Sequence, residues 1–175
     1  MTYAPNRAWG PHHAISTGLG RDAWLPGWDN DFTGAAAWPT SDLAIFVPVA
    51  VPRRVVVTKL FAAISTASGN VDIGVYDPAG VRLISTGTTT AATSLTVNTT
   101  DTTLGPGLYY LAMVANNTTV QLQRLNPTAP ILTACGLLTQ QLGAGAALPA
   151  TATMAVLQTL AYRPLLAMLL GTVVA

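Results

Sequence analysis

Apolar and polar positions alternate along most of this chain in short runs closed by turn residues, which is the pattern of β-strands packed on one face. The clearest run is "NVDIGVYDPAGVRLISTG" (Asn70–Gly87). Val71, Ile73 and Val75 alternate with Asp72, Gly74 and Tyr76, which places Asp72 outward. "VRLISTG" returns with Val81, Leu83 and Ser85 on one face. Between the two, Asp77 is suited to cap its own backbone, Pro78 presets φ, and Gly80 tolerates a positive φ. The stretch predicts a β-hairpin.

The same texture extends both ways. "LAIFVPVAV" (Leu43–Val51) is apolar and β-branched, and Pro48 implies an edge or a bulge. In "RRVVVTKLFAAI" (Arg53–Ile64), strict alternation puts Val55, Val57, Lys59 and Phe61 on one face and Val56, Thr58 and Leu60 on the other. "TSLTVNTT" (Thr93–Thr100) is a short strand, and "LGPGLYYLAMVA" (Leu104–Ala115) is a strong one on which Tyr109, Leu111 and Met113 share a face. "VQLQRL" (Val120–Leu125) then completes a second hairpin across the "NNTT" turn. "ILTACGLL", "TATMAVLQ" and "YRPLLAMLLG" read as late strands around the loop "GAGAALPA" (Gly143–Ala150), with a short helix over Met154–Leu160 as the competing reading. About eight or nine strands at roughly 8–12-residue spacing, with no βαβ alternation, predict an all-β fold of β-sandwich or jelly-roll type.

Residues 1–41 break the pattern. They carry Pro5, Pro11, Pro26 and Pro39 and all four tryptophans, Trp9, Trp24, Trp28 and Trp38, without a sustained period. The division expected is an irregular arm over 1–41 and a β-sandwich domain over 42–175. Such an arm frays unless something holds it down. Tryptophans do this well, since each brings a large apolar area and one donor. Trp9, Trp24, Trp28 and Trp38 are therefore the candidate interface residues, packed against a neighbouring subunit or against the chain's own domain.

Composition sharpens this. The chain has 175 residues, of which 50% are hydrophobic and only 9% charged, with a formal charge of +1; soluble domains typically hold ~25% charged residues. There is no Glu, and Lys59 is the only lysine. A surface so poor in charge points to assembly, as a homo-oligomer such as a trimer or as part of something larger. The cations are scattered, with Arg53-Arg54 the only adjacent pair, so nucleic acid is not an expected partner. The apolar run Leu165–Ala175 is shorter than the ~20 residues a membrane helix needs, and "MTYAPNRAWGPHH" lacks the order of a signal peptide.

Candidate chemistry is sparse. His12-His13 would point opposite ways in a strand and lack companions for a zinc set. Asp29 and Asp31 are spaced as calcium ligands sometimes are, without the rest of that loop pattern. No pair of the seven aspartates stands out as a catalytic couple. Cys135 lies in an apolar run and cannot form an intramolecular disulfide, because it is the only cysteine. Asn98 and Asn117 begin N-glycosylation patterns that Thr-rich chains meet by chance. We therefore expect no catalytic residue, metal or cofactor. A carbohydrate-binding module is the rival reading, since aromatic side chains on a sandwich can stack on sugars.

"FVPVAVPRRVVVTKLFAAISTASGNVDIGVYDPAGVRLISTGTT", followed by "DTTLGPGLYYLAMVANNTT", resembles a β-sandwich type found in structural proteins of tailed bacteriophages (tail, fibre, head-fibre or decoration proteins). The likeness spans Phe46–Thr119 and rests on hairpin and strand texture. It implies a non-enzymatic virion protein that contacts capsid or tail subunits; a small sandwich with an anchoring arm suits reinforcing a shell, which puts the capsid surface slightly ahead of tail or fibre. It implies no catalytic residues.

Overall fold

A computed structural model describes residues 14–15, 23–24, 32–125, 136–157 and 159–171. Every regular element among them is a strand: β1 (Ala14–Ile15), β2 (Ala23–Trp24), β3 (Phe32–Ala37), β4 (Leu43–Val51), β5 (Val55–Ala62), β6 (Ile64–Thr66), β7 (Asn70–Tyr76), β8 (Arg82–Ser85), β9 (Thr89–Thr90), β10 (Leu95–Leu104), β11 (Gly107–Ala115), β12 (Gln121–Leu125), β13 (Leu138–Gln141), β14 (Arg163–Pro164) and β15 (Leu166–Leu170). Residues 154–157 hold no helix, and Ala155 forms a bridge to Thr139 instead.

The strands form an all-β sandwich. One layer has the order β13-β4-β11-β7-β8, with β9 also on β7. The other has two parts, β1-β2-β15-β5-β10 and β14-β12-β3 with β6 on β12. The chain joins these parts twice, where β5 passes into β6 through Ala63 and β14 into β15 through Leu165. The Ala63 N–H donates to the Leu165 carbonyl at 3.1 Å, which ties the two joints together.

The core lies between the layers. Leu43, Ile45, Val47, Val49, Val71, Ile73, Val75, Leu111 and Met113 of the first meet Val57, Leu60, Ala62, Leu122, Leu166 and Met168 of the second. Full burial of such a side chain stabilises by ~1.5–3 kcal/mol, against ~0.5–1.5 kcal/mol net for a hydrogen bond. Burial therefore sets which face each strand turns inward, and the ladder follows.

Where the ladder slips, strict alternation misassigns faces. Opposite β10 the register jumps from Asn98↔Lys59 to Thr102↔Val57, and opposite β15 from Leu169↔Lys59 to Leu170↔Val57. This bulge resets the phase of β5. Val55 and Val57 face the core, and so do Leu60 and Ala62 beyond it, while Phe61 turns to the other side with Ala63, Ala167 and Leu169. On β8 the slip falls between Val75↔Ile84 and Tyr76↔Arg82. Ile84 is therefore the core residue, and Val81 and Leu83 are exposed. Pro48 sits where the edge was expected: β13 accompanies β4 only over Leu43–Phe46, and β11 alone continues to Val51. β12 forms no hairpin with β11. It crosses to the other layer and pairs with β3, β6 and β14.

The stretch assigned to the arm is partly built into the body. β3 pairs with β12, and β2 pairs with β15 through Met168↔Trp24. Trp38 is 1% exposed. Its indole N–H donates to the Leu43 carbonyl at 3.0 Å, and its ring meets Tyr162 edge-on at 5.6 Å. Trp38 is thus a core residue and is corrected from the interface set, because the turn between β3 and β4 carries it inward. A deletion of residues 1–40 would remove a paired strand and a core tryptophan.

The β7–β8 hairpin forms as its residues dictate. Asp77 Oδ1 accepts the Ala79 and Val81 amides, each at 2.9 Å, and Gly80 has φ +83°. A Cβ on Gly80 would lie 2.4 Å from the Ala152 carbonyl oxygen. Left-handed backbone alone costs an L-residue ~1–2 kcal/mol, so with this clash we expect Gly80→Ala to lose about 2–3 kcal/mol of stability in urea unfolding. An unchanged midpoint would contradict the tight seating of Ala152 on the turn.

Candidate functional site

The outer face of the β4-β11-β7 layer is where the molecule departs from an ordinary sandwich. Cross-strand register lays its side chains in rows. Gly74, Ala112, Phe46 and Leu138 form one row, Tyr76, Tyr110 and Pro48 the next, and Leu108 with Ala50 the last. Asp72 stands opposite Val114 at the far end.

A strap over residues 142–155 covers the upper rows. Ala146, Leu148 and Ala152 pack on Ala44, Phe46, Tyr76, Ala112 and Val114, and Phe46 meets Tyr76 edge-to-face at 5.2 Å. Gly74 allows the close approach, since a Cβ there would come within 3.0 Å of Leu148 Cδ1. Backbone polar groups of the strap find partners on the sheet. Asp42 Oδ1 accepts the Gly145 and Ala146 amides at 3.2 and 3.1 Å. The Tyr76 hydroxyl donates to the Pro149 carbonyl at 2.6 Å, and Arg82 Nη1 donates to the Leu148 carbonyl. The Arg82 amide donates to the Ala150 carbonyl at 2.9 Å, and the Ala152 amide to the Gly80 carbonyl at 2.8 Å.

Asp72 is central to this arrangement and, at 1% exposed, does not point into solvent as alternation implied. Its Oδ1 accepts the Ser85 and Thr86 hydroxyls at 2.9 and 3.1 Å, and its Oδ2 accepts the Leu148 amide at 3.0 Å. All three of these partners are donors. Asp72→Asn would turn an NH₂ group toward one of them, so we expect a loss of about 1–3 kcal/mol. Limited proteolysis should then cut first within 142–155. A variant as stable and as protease-resistant as the parent would show that the carboxylate does not hold the strap.

Burial raises the Tyr76 hydroxyl above the ordinary phenol value of 10.0, with the Arg82 guanidinium opposing and the Asp72 carboxylate adding to the rise. Tyr162 is raised likewise by burial, opposed by Arg124, whose guanidinium lies 5.3 Å from the ring centroid. The unfolded chain therefore releases these protons near pH 10 while the folded chain keeps them. Their contribution is complete below pH 10 and is lost as pH rises beyond it. The urea midpoint should stay flat up to about pH 9.5 and fall above pH 10, less steeply in Tyr76→Phe. An equally steep fall in that variant would remove Tyr76 from the account.

The strap stops short of the last rows. Pro48 and Tyr110 are half-buried and Ala50 is exposed. Among the described residues the large exposed hydrophobics are Leu108 at 45%, Val81 and Leu83 along β8, and Val156 and Leu157 just past the Ala155–Thr139 bridge to β13. All belong to this layer or the segment alongside it. On the opposite layer β5 and β10 instead expose Lys59, Thr96, Asn98, Thr100 and Thr103. Next to Leu108 the two crossovers between layers lie side by side, Pro52–Arg54 after β4 and Gly105–Pro106 before β11, because Val51 pairs with Gly107. Tyr109 turns toward the core, and its hydroxyl donates to the Gly105 carbonyl at 3.1 Å.

Of the candidate residues, Trp9, Trp28, His12, His13, Asp29, Asp31 and Cys135 lie outside the described residues, as does the side chain of Trp24. Among the described residues no group of three His, Cys, Asp or Glu is placed to hold a metal ion, and no helix is long and apolar enough to cross a membrane. Asp42, Asp72 and Asp77 are each occupied by backbone amides, so the structural role of the carboxylates is to fasten loops. Sequence reasoning passed over Asp42 and Asp72. The available signal was an aspartate set within a run of strongly apolar strand residues. No family model, curated protein or solved structure matches the chain.

Proposed function

We propose that this chain is a non-enzymatic structural protein of a bacteriophage particle, decorating or stabilising it through subunit contacts. The capsid surface is the favoured position, ahead of tail or fibre. The observation that carries the reading is the segregation, among the described residues, of the large exposed hydrophobics to one layer, while on the other β10 exposes threonines and Asn98 and β5 exposes Lys59. A free monomer gains nothing from such a division, whereas a protein seated on a neighbour buries one side and wets the other. The low charge content and the sequence resemblance over Phe46–Thr119 agree with this. A sugar-binding platform would call for an outward aromatic row, and of the adjacent pair Tyr109 faces the core while Tyr110 alone faces out.

The partners are other virion proteins and further copies of the chain. Antibody raised against the purified protein should detect it in phage particles banded on a density gradient from the source culture, at a fixed ratio to the major particle protein. Leu108→Asp, placed on the exposed row, should fold normally and no longer band with particles. Recovery of the parent chain only in the soluble fraction would overturn the reading.

A further inference from the structure

We infer that the end of the sandwich carrying Arg53, Arg54, Leu108 and Ala50 docks an acidic protein surface with an apolar centre. The inference deepens the reading above by stating the chemistry of the neighbour, and it rests on that reading's apolar docking side.

Charge decides the occupant. Arg53 and Arg54 are exposed on the crossover after β4, and neither makes a hydrogen bond or ion pair among the described residues. They lie three and four residues beyond Ala50, which pairs with Leu108. Of the described carboxylates, Asp77 lies on the β7–β8 tip, and its Oδ1 is taken by the Ala79 and Val81 amides. Asp101 is exposed on β10, in the other layer. Among the described residues, the patch therefore joins an apolar row to two guanidiniums that no carboxylate pairs with.

A second copy docking by the same face would bring like charges together, which is unfavourable. A lipid or nucleic-acid surface would want a broader cationic field than one pair. A carboxylate-rimmed apolar surface satisfies both parts. Guanidinium is suited to it, because its planar fork binds carboxylate with two parallel hydrogen bonds and is weakly hydrated enough to enter an interface.

The test uses the full chain, isotope-labelled for NMR, and two short peptides with a common Leu-Trp-Leu centre. One peptide is flanked by Asp and Glu, the other by Asn and Gln. The acidic peptide should move the amide signals of Ala50, Val51, Arg53, Arg54, Val55, Gly107 and Leu108, and bind about tenfold more tightly than its amide counterpart. Raising salt from about 50 to about 500 mM should remove most of that preference. The double variant R53E/R54E, whose substitutions lie on an exposed loop, should lose the preference while keeping the fold. Equal affinity for the two peptides at Leu108 would overturn the acidic partner and leave the apolar docking side standing. Signals displaced elsewhere, or none displaced, would overturn the inference, and so would concentration-dependent shifts at these residues without peptide, which would indicate self-docking. The particle-banding experiment decides the parent reading separately.

Discussion

The structure depends on one buried carboxylate. Asp72 sits on a strand covered on both faces, and it is held there by two hydroxyls from the end of the β7–β8 hairpin and one amide from the strap. An uncompensated carboxylate in that position would be strongly disfavoured. With three donors it instead fixes the relative position of β7, the hairpin and residues 142–155. The apolar contacts of Leu148 and Ala146 supply most of the stabilisation. Asp72 supplies the alignment, since its oxygens accept only where the strap's amide falls in reach.

That alignment has a consequence at the other end of the sheet. The strap is long enough to cover the rows from Asp72 to Tyr76 and then leaves along β13 through the Ala155 bridge. The Leu108–Ala50 row is thus left bare by the path of the covering segment, while the strand composition stays as apolar there as under the strap. The core continues beneath it, where Val51 of this sheet and Val55 and Leu104 of the opposite layer are all buried. An exposed apolar row on a well-packed sheet presents a rigid surface, and binding to it needs little ordering of the chain.

Much of the fold was legible in the pattern. The Asn70–Gly87 hairpin, the strand Leu43–Val51 and the shared face of Tyr109, Leu111 and Met113 all follow from period-2 alternation and turn residues. The failures share causes. Phe61 and Ile84 were misplaced because a bulge shifts the phase and leaves no mark in composition. Asp72 was placed outward because alternation describes a sheet with one wet face, and here a loop rich in Gly and Ala covers the second. Trp38 was read with the arm because its neighbours lack a period, although its burial depends on Tyr162, far along the chain. The candidate surface was the least legible feature. Leu108 and Ala50 look like core positions in sequence, and only the path of the strap leaves them exposed.

The scarcity of charge gives this arrangement its direction. In a chain with so few ionic groups, each described carboxylate except Asp101 is spent on backbone amides, which raises the weight of the cations left over. Lys59 is exposed on the other layer, across from Asn98 and Leu169, where its ammonium is solvated. Arg53 and Arg54 lie instead beside the bare apolar row, on a crossover flanked by Pro52 and anchored by Val51 and Val55. A short loop of this kind lowers the entropy lost when its side chains are fixed. The apolar row supplies area without selectivity, and the arginine pair beside it gives that area a preferred partner and a preferred orientation.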